Sequence, residues 1–220
     1  MRLLLVVRGQ AASRLRLWQQ SSQAREDPQV LVHAGKSHGR GAQSRVIRVI
    51  GGAMRGRRWR FPDIPDIRPT PDRVRETLFN WLSTHVVGAR CLDLFAGSGA
   101  LGFEAASRGA RRVLMVERDR AAFAALERNK QMLGADQVEL VRGDALEFVR
   151  RDRAEYDVIF LDPPFRSGYG ERLLPLLPAR VAPNGWVYYE CGETVQWPSG
   201  WSIEKEGHAG QVVYQLVKRT

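Results

Sequence analysis

The stretch FLDPPF, residues 160–165, ends an apolar run in a carboxylate, two prolines and an aromatic ring. Two prolines remove two backbone donors and fix two φ angles, so neither strand nor helix continues through them. A rigid turn with one charge and one ring suits a particular chemistry. An exocyclic amine on a nucleobase is a poor nucleophile, because its lone pair is delocalised into the ring. Two acceptors aimed at its N–H groups favour a pyramidal nitrogen and free that lone pair. Asp162 supplies a carboxylate and Pro163 a backbone carbonyl, and Pro164 stiffens the turn that aims them. Phe165 is placed to stack on a base that has left its helix or loop.

Three further acids stand at the ends of apolar runs: Asp93, Glu117 and Asp144. Each has a structural reading, since Asp144 opens D-A-L-E, a helix-capping box with Glu147, and Asp119 can cap the segment after Glu117. Four acids converging on one edge nevertheless suit a ligand that is cationic or rich in hydroxyls and amines. The sequence Gly97-Ser98-Gly99-Ala100-Leu101-Gly102 satisfies G-x-G-x-x-G, and Glu117 follows Gly99 by 18 residues. Taken alone, that pattern is the dinucleotide fingerprint and admits a nicotinamide oxidoreductase. A dinucleotide, however, brings a pyrophosphate to the glycine turn, where Asp93 would repel it. S-adenosyl-L-methionine has no phosphate and carries a sulfonium, an ammonium, a ribose and an adenine. Asp93 then helps hold the methionine end, Glu117 accepts from the ribose hydroxyls and Asp144 from the adenine amine. Phe95, Ala96, Gly97, Ser98, Gly99 and Ala145 complete the expected donor site.

The elements that position these residues alternate. Strand-like runs RCLDLFA, RRVLMVE, QVELVRGD, YDVIFLD and GWVYYE are separated by helical patterns at 99–108, 119–133, ALEFVRR and near 170–180. Strands alternating with helices imply a mostly parallel sheet, with ligands beyond the carboxyl ends of its strands. Two last extended runs, WSIEKE and QVVYQLVKR, flank GHAG and predict a closing antiparallel hairpin.

The chain has 220 residues and a formal charge of +10, which suits a polyanionic partner. Residues 45–75 hold nine arginines against three acids, so the charge is concentrated at one end. RGRRWR places Arg55, Arg57, Arg58 and Arg60 around Trp59, a composition for phosphate contact and base stacking. Arg68, Arg73 and Arg75 extend that candidate RNA surface. Thr70-Pro71-Asp72 reads as a helix opening with Thr70 as its hydroxyl cap, and Val74, Leu78, Trp81 and Leu82 form one apolar stripe. Residues 1–44 read as a basic, disordered extension or as the product of an upstream start codon, with a transit peptide as the other reading. Their apolar run, Leu3–Val7, is too short for a membrane span. Cys91 and Cys191 match no metal-ligand spacing and read as reduced thiols, and no metal is expected.

DPPF is similar to the [D/N]-P-P-[F/Y/W] signature of amino-group methyltransferases. Together with RVIGGAMRGRRWRFP (48–62), RPTPDRVRETLFNWL (68–82) and DLFAGSGALGFEA (93–105), it resembles the bacterial 16S rRNA (guanine(966)-N(2))-methyltransferase family. The resemblance runs from about Arg45 to the closing GHAGQVVYQLVKR. It implies an α/β, Rossmann-like methyltransferase fold with a small basic N-terminal element at 45–84 and a donor-binding domain at 85–220. It further implies S-adenosyl-L-methionine as cofactor and 16S rRNA in an assembled or assembling small subunit as partner. A cytoplasmic monomer is expected. DPPF by itself does not choose the base, so adenine N6 or cytosine N4 of DNA stays open, as does a non-catalytic RNA-binding module. The extension before Arg45 departs from the family pattern.

Overall fold

The computed structural model describes residues 44–65, 67–164, 167–192 and 195–220. The readings made for residues 1–43 and for Phe165 lie outside the described residues.

A two-stranded antiparallel hairpin comes first, β1 (Ser44–Arg48) and β2 (Arg58–Pro62). Helix α1 (Asp72–Leu82) follows, then β3 (Arg90–Asp93), α2 (Ala100–Ser107), β4 (Arg112–Glu117) and α3 (Arg120–Leu133). The remainder is β5 (Val138–Arg142), α4 (Ala145–Arg151), β6 (Tyr156–Leu161), α5 (Tyr169–Leu173), β7 (Val181–Cys191), β8 (Trp201–Ala209) and β9 (Val212–Arg219). Seven strands form one sheet in the order β5-β4-β3-β6-β7-β9-β8. β5 through β7 run parallel, and β9 inserts antiparallel between β7 and β8. The α/β sheet with a closing antiparallel hairpin is thus the architecture expected from the alternation.

Local chemistry explains most boundaries. Asp119 accepts from the Ala122 amide at 2.8 Å to open α3, and Gly134 closes it in the left-handed region. Asp144 caps α4 through the amides of Leu146 and Glu147. The helical pattern near 170–180 divides, with α5 giving way to a 3-10 turn at Leu174–Ala179 where Pro175 and Pro178 remove backbone donors. α1 departs from expectation at its start. Its N-cap is Pro71, with no side-chain cap, and Asp72 instead pairs with Arg48 at 2.7 Å and Arg75 at 2.6 Å.

The hairpin, α1, α2 and α3 share one core with the sheet face that presents Cys91, Val113, Met115, Val158, Phe160 and Tyr188. Phe79 of α1 meets Phe160 of β6 with ring centroids 5.8 Å apart. Strand order reverses between β3 and β6, whose residues pair as Cys91 with Val158 and Asp93 with Phe160. Crevices form at such reversals, beyond the carboxyl ends of the two strands. No helix among the described residues is long and apolar enough to cross a membrane.

Candidate active site

At the end of β3 the chain turns through residues 94–99 before α2 begins. The turn leans on both neighbouring strands, with the Leu94 amide donating to Phe160 O at 3.1 Å and the Ala96 amide to Val116 O at 3.0 Å. Gly99 has φ +82°, and a Cβ there would lie 2.5 Å from the Phe103 ring, so glycine is required. Asp93 is buried beneath this turn. Its Oδ2 accepts from the Gly102 amide at 3.1 Å, whereas Oδ1 is buried and finds no partner among the described residues. Burial pushes its carboxyl up to about 7, against the opposing pull of the Phe95 and Gly102 amides. A buried acceptor without a donor fits an ammonium-bearing ligand and rejects a pyrophosphate.

Glu117 is fixed in place at the tip of β4. Its Oε2 accepts from the Gly97 amide and its Oε1 from the Asp119 amide, each at 2.7 Å. Each oxygen retains a second lone pair, suited to a pair of vicinal hydroxyls. Burial raises its carboxyl above the ordinary glutamate value. Asp144 Oδ1 serves the α4 cap, and its Oδ2 takes the hydroxyl of Tyr169. Tyr169 therefore sits at the acceptor that the sequence reading assigned to an adenine amine. Its ring meets Phe95 edge-on at 5.2 Å, and Arg118 Nη1 donates to its hydroxyl at 3.2 Å. Ala145, at the start of α4, is buried. Nothing in the sequence marked Tyr169 beyond its position shortly after the proline turn.

On the other side of the reversal, β6 ends at Leu161, and Asp162, Pro163 and Pro164 follow, all half-buried. Leu161 stands opposite Tyr189 of the parallel β7, so the next pair in register brings Asp162 beside Glu190. Glu190 is buried and accepts from the Tyr188 hydroxyl at 2.7 Å. Burial, then the charges of Glu190 and Asp93, hold the Asp162 carboxyl well above the usual range. Burial raises Glu190 as well, opposed by the Tyr188 hydroxyl. The sequence did carry a signal for Glu190, since GWVYYE is a fifth strand ending in an acid.

The basic block divides in two. Arg58 and Arg60 point outward on β2, alternating with inward Trp59 and Phe61. Arg55, Arg68 and Arg73 are exposed too. Two expectations, for Trp59 and Arg75, require correction. Trp59 is 1% exposed, packs edge-on against Phe103 at 5.4 Å and donates its Nε1–H to Ser98 O at 2.9 Å, so it presents no ring to a base. Arg75 is fully buried, bonded to Asp72, to the Thr70 and Arg48 carbonyls and to Glu104. Arg57 is exposed, yet its guanidinium donates to the Met132 and Leu133 carbonyls at the end of α3.

A family model described as "Conserved hypothetical protein 95" matches residues 47–218. The chain is 44% identical over 182 residues to "Ribosomal RNA small subunit methyltransferase D" of Escherichia coli (strain K12), covering 79% of this chain and 90% of the relative. The chain belongs to the ribosomal RNA small subunit methyltransferase D family. The Haemophilus influenzae member is 39% identical over 178 residues, covering 77% of this chain and 92% of that one. Among solved structures, "Putative methyltransferase yhhF" from Escherichia coli superposes with a TM-score of 0.74 at 43% identity, covering 79% of this chain and 98% of that chain. Because the family match begins at Ile47, the basic hairpin belongs to the family's fold. Membership also removes the oxidoreductase reading of the glycine turn.

Proposed function

We propose that this chain methylates the N2 amine of a guanine in 16S rRNA, with S-adenosyl-L-methionine as donor. The observation that carries this reading is the pairing of two acids across the strand reversal. Asp93 stands under the glycine turn and Asp162 opens the proline turn, on adjacent strands. One acid serves a cationic donor and the other an amine acceptor. When bound, S-adenosyl-L-methionine supplies an electrophilic methyl on a sulfonium that departs as a neutral thioether. Asp93 receives the donor's ammonium and Glu117 its ribose hydroxyls, and the adenine amine reaches the Asp144 Oδ2 that the Tyr169 hydroxyl holds in the free protein. Asp162 and the Pro163 carbonyl accept from the guanine amine and localise its lone pair. As the new N–C bond forms, the surplus proton passes from nitrogen to Asp162 or to solvent. The names of the relatives and the outward arginines of the hairpin support an rRNA substrate; that substrate is further proposed to be an assembled or assembling small subunit, and the enzyme a cytoplasmic monomer.

The test is methyl incorporation into naked 16S rRNA, small subunits and DNA, with the product base identified by mass. N2-methylguanosine from subunits is expected. N6-methyladenine in DNA would overturn the proposal and favour the DNA reading.

The outward arginines carry a second prediction. Replacing Arg55, Arg58, Arg60 and Arg68 together by glutamine removes charges that position RNA through its phosphates without reading its sequence. The slope of log binding constant against log salt should flatten by roughly 0.7–0.9 for each phosphate no longer neutralised, measured by filter binding across a salt series. Affinity for S-adenosyl-L-methionine should stay unchanged. An unaltered slope would remove the hairpin from the RNA interface.

A further inference from the structure

The two faces of the hairpin are joined to different things. Its outer face carries Arg58 and Arg60. Its inner face is fastened to the body, most directly where the Trp59 indole donates to Ser98 O inside the glycine turn. The Asn129 side chain of α3 holds the adjacent Arg60 carbonyl at 3.1 Å. The loop between β1 and β2 grips the other end of α2. The Ile50 and Gly51 amides each donate to Glu104 at 2.8 Å, and the Ala53 amide donates to Ser107 O at 2.7 Å. Gly52, at φ +78°, approaches so closely that a Cβ would fall 1.9 Å from Ser107 O. Helix α2 is therefore clamped by the hairpin loop near its C-terminus and by Trp59 just ahead of its N-terminus.

We propose that Trp59 is a positioning residue for the methyl-donor turn, and that through it RNA held on the hairpin and donor held in the turn bind with positive coupling. A two-stranded hairpin is marginal by itself and takes its order from what it docks against. RNA on the outer face favours the docked hairpin, and the docked hairpin fixes Ser98. By linkage the donor must strengthen RNA binding by the same factor. The Trp59 bond is suited to this task because it reaches the turn's own backbone. The ring's contact with Phe103 is packing alone, so the hydrogen bond and the packing can be separated by substitution. The inference rests on the glycine turn being the donor site, as proposed above.

The experiment measures the dissociation constant of S-adenosyl-L-methionine by calorimetry, with and without small ribosomal subunits, for the full chain and for Trp59→Phe. The substitution keeps an aromatic ring and removes the N–H donor. In the unsubstituted chain, subunits should tighten donor binding by about fivefold or more. In Trp59→Phe the free protein should bind donor on the order of fivefold more weakly. The ratio between the two conditions should fall close to one. A structural role alone would lower thermal stability and leave that ratio intact, and such a result would overturn the proposal. A second measurement needs no variant. Subunits added without donor should slow hydrogen exchange at the Ser98 and Gly99 amides of the natural chain, and unchanged exchange there would also overturn it. Absence of donor binding to the unsubstituted protein would instead strike the donor reading itself.

Discussion

Asp162→Ala is expected to slow single-turnover methyl transfer by about 10²–10⁴-fold, with S-adenosyl-L-methionine affinity held within a few-fold. The expectation follows from position. Asp162 begins the proline turn on the acceptor side of the strand reversal, whereas Glu117 is bonded to the glycine turn and Asp93 to the first turn of α2 that follows it. Asp162→Asn keeps the shape and one acceptor but loses the charge, so it should recover little of the rate. Collapse of donor affinity with chemistry intact would move Asp162 to the donor's side.

The pH profile adds a sharper measurement. In the proposed reaction Asp162 acts ionised, and burial together with the charges of Glu190 and Asp93 raises its carboxyl well above the ordinary aspartate value. The rate should therefore climb with pH along a limb displaced upward from the usual carboxylate range, a limb that belongs to the Asp162–Glu190 pair. Glu190→Gln removes the neighbouring charge and keeps an acceptor for the Tyr188 hydroxyl. The limb should move to lower pH, and a limb that stays put would show that the two carboxyls do not titrate together. Asp93 and the Tyr188 hydroxyl also border this pair and remain in the variant.

The parallel part of the sheet was legible because β3, β4 and β6 are short, buried apolar runs that end in or next to an acid. A sheet covered on both faces demands such runs. The glycine turn and the proline turn were legible for a related reason, since their residue types answer to local geometry. What the sequence hid depends on pairing across long separations. Arg75 looks like one more surface cation until Glu104, 29 residues away, is folded beside it. Arg57 finds the carbonyls that end α3, 75 and 76 residues on. Trp59 differs, because its local pattern was informative and was outweighed by its charged neighbours. RWRF alternates with period two, which places the arginines outward and the aromatics inward. Glu190 likewise satisfied the rule that had selected the other acids.

Asp93→Asn should weaken S-adenosyl-L-methionine by roughly 10- to 100-fold, the range for losing one charge-assisted hydrogen bond, and should abolish a proton release that accompanies binding. In the free protein burial pushes the Asp93 carboxyl up to about 7. The donor's ammonium needs it ionised. Binding at pH 6 must therefore expel nearly one proton, and affinity should fall about tenfold for each pH unit below that value. Above about 8 the donor's own α-amino group begins to lose its charge, so affinity should peak between the two. Calorimetry in buffers of different ionisation enthalpy counts the proton directly. A count of zero at pH 6 would mean that Asp93 is already ionised or does not meet the ammonium. Stability should move the other way. A carboxyl whose folded value is raised contributes stability that is full below the ordinary aspartate value and is lost as pH rises through about 7. The donor-free Asp93→Asn protein carries no such loss. Its melting temperature should gain on the natural chain between pH 4 and 7 and hold that lead above. The buried oxygen without a partner costs stability in the free protein, and on the proposed reading the donor's ammonium gives it one.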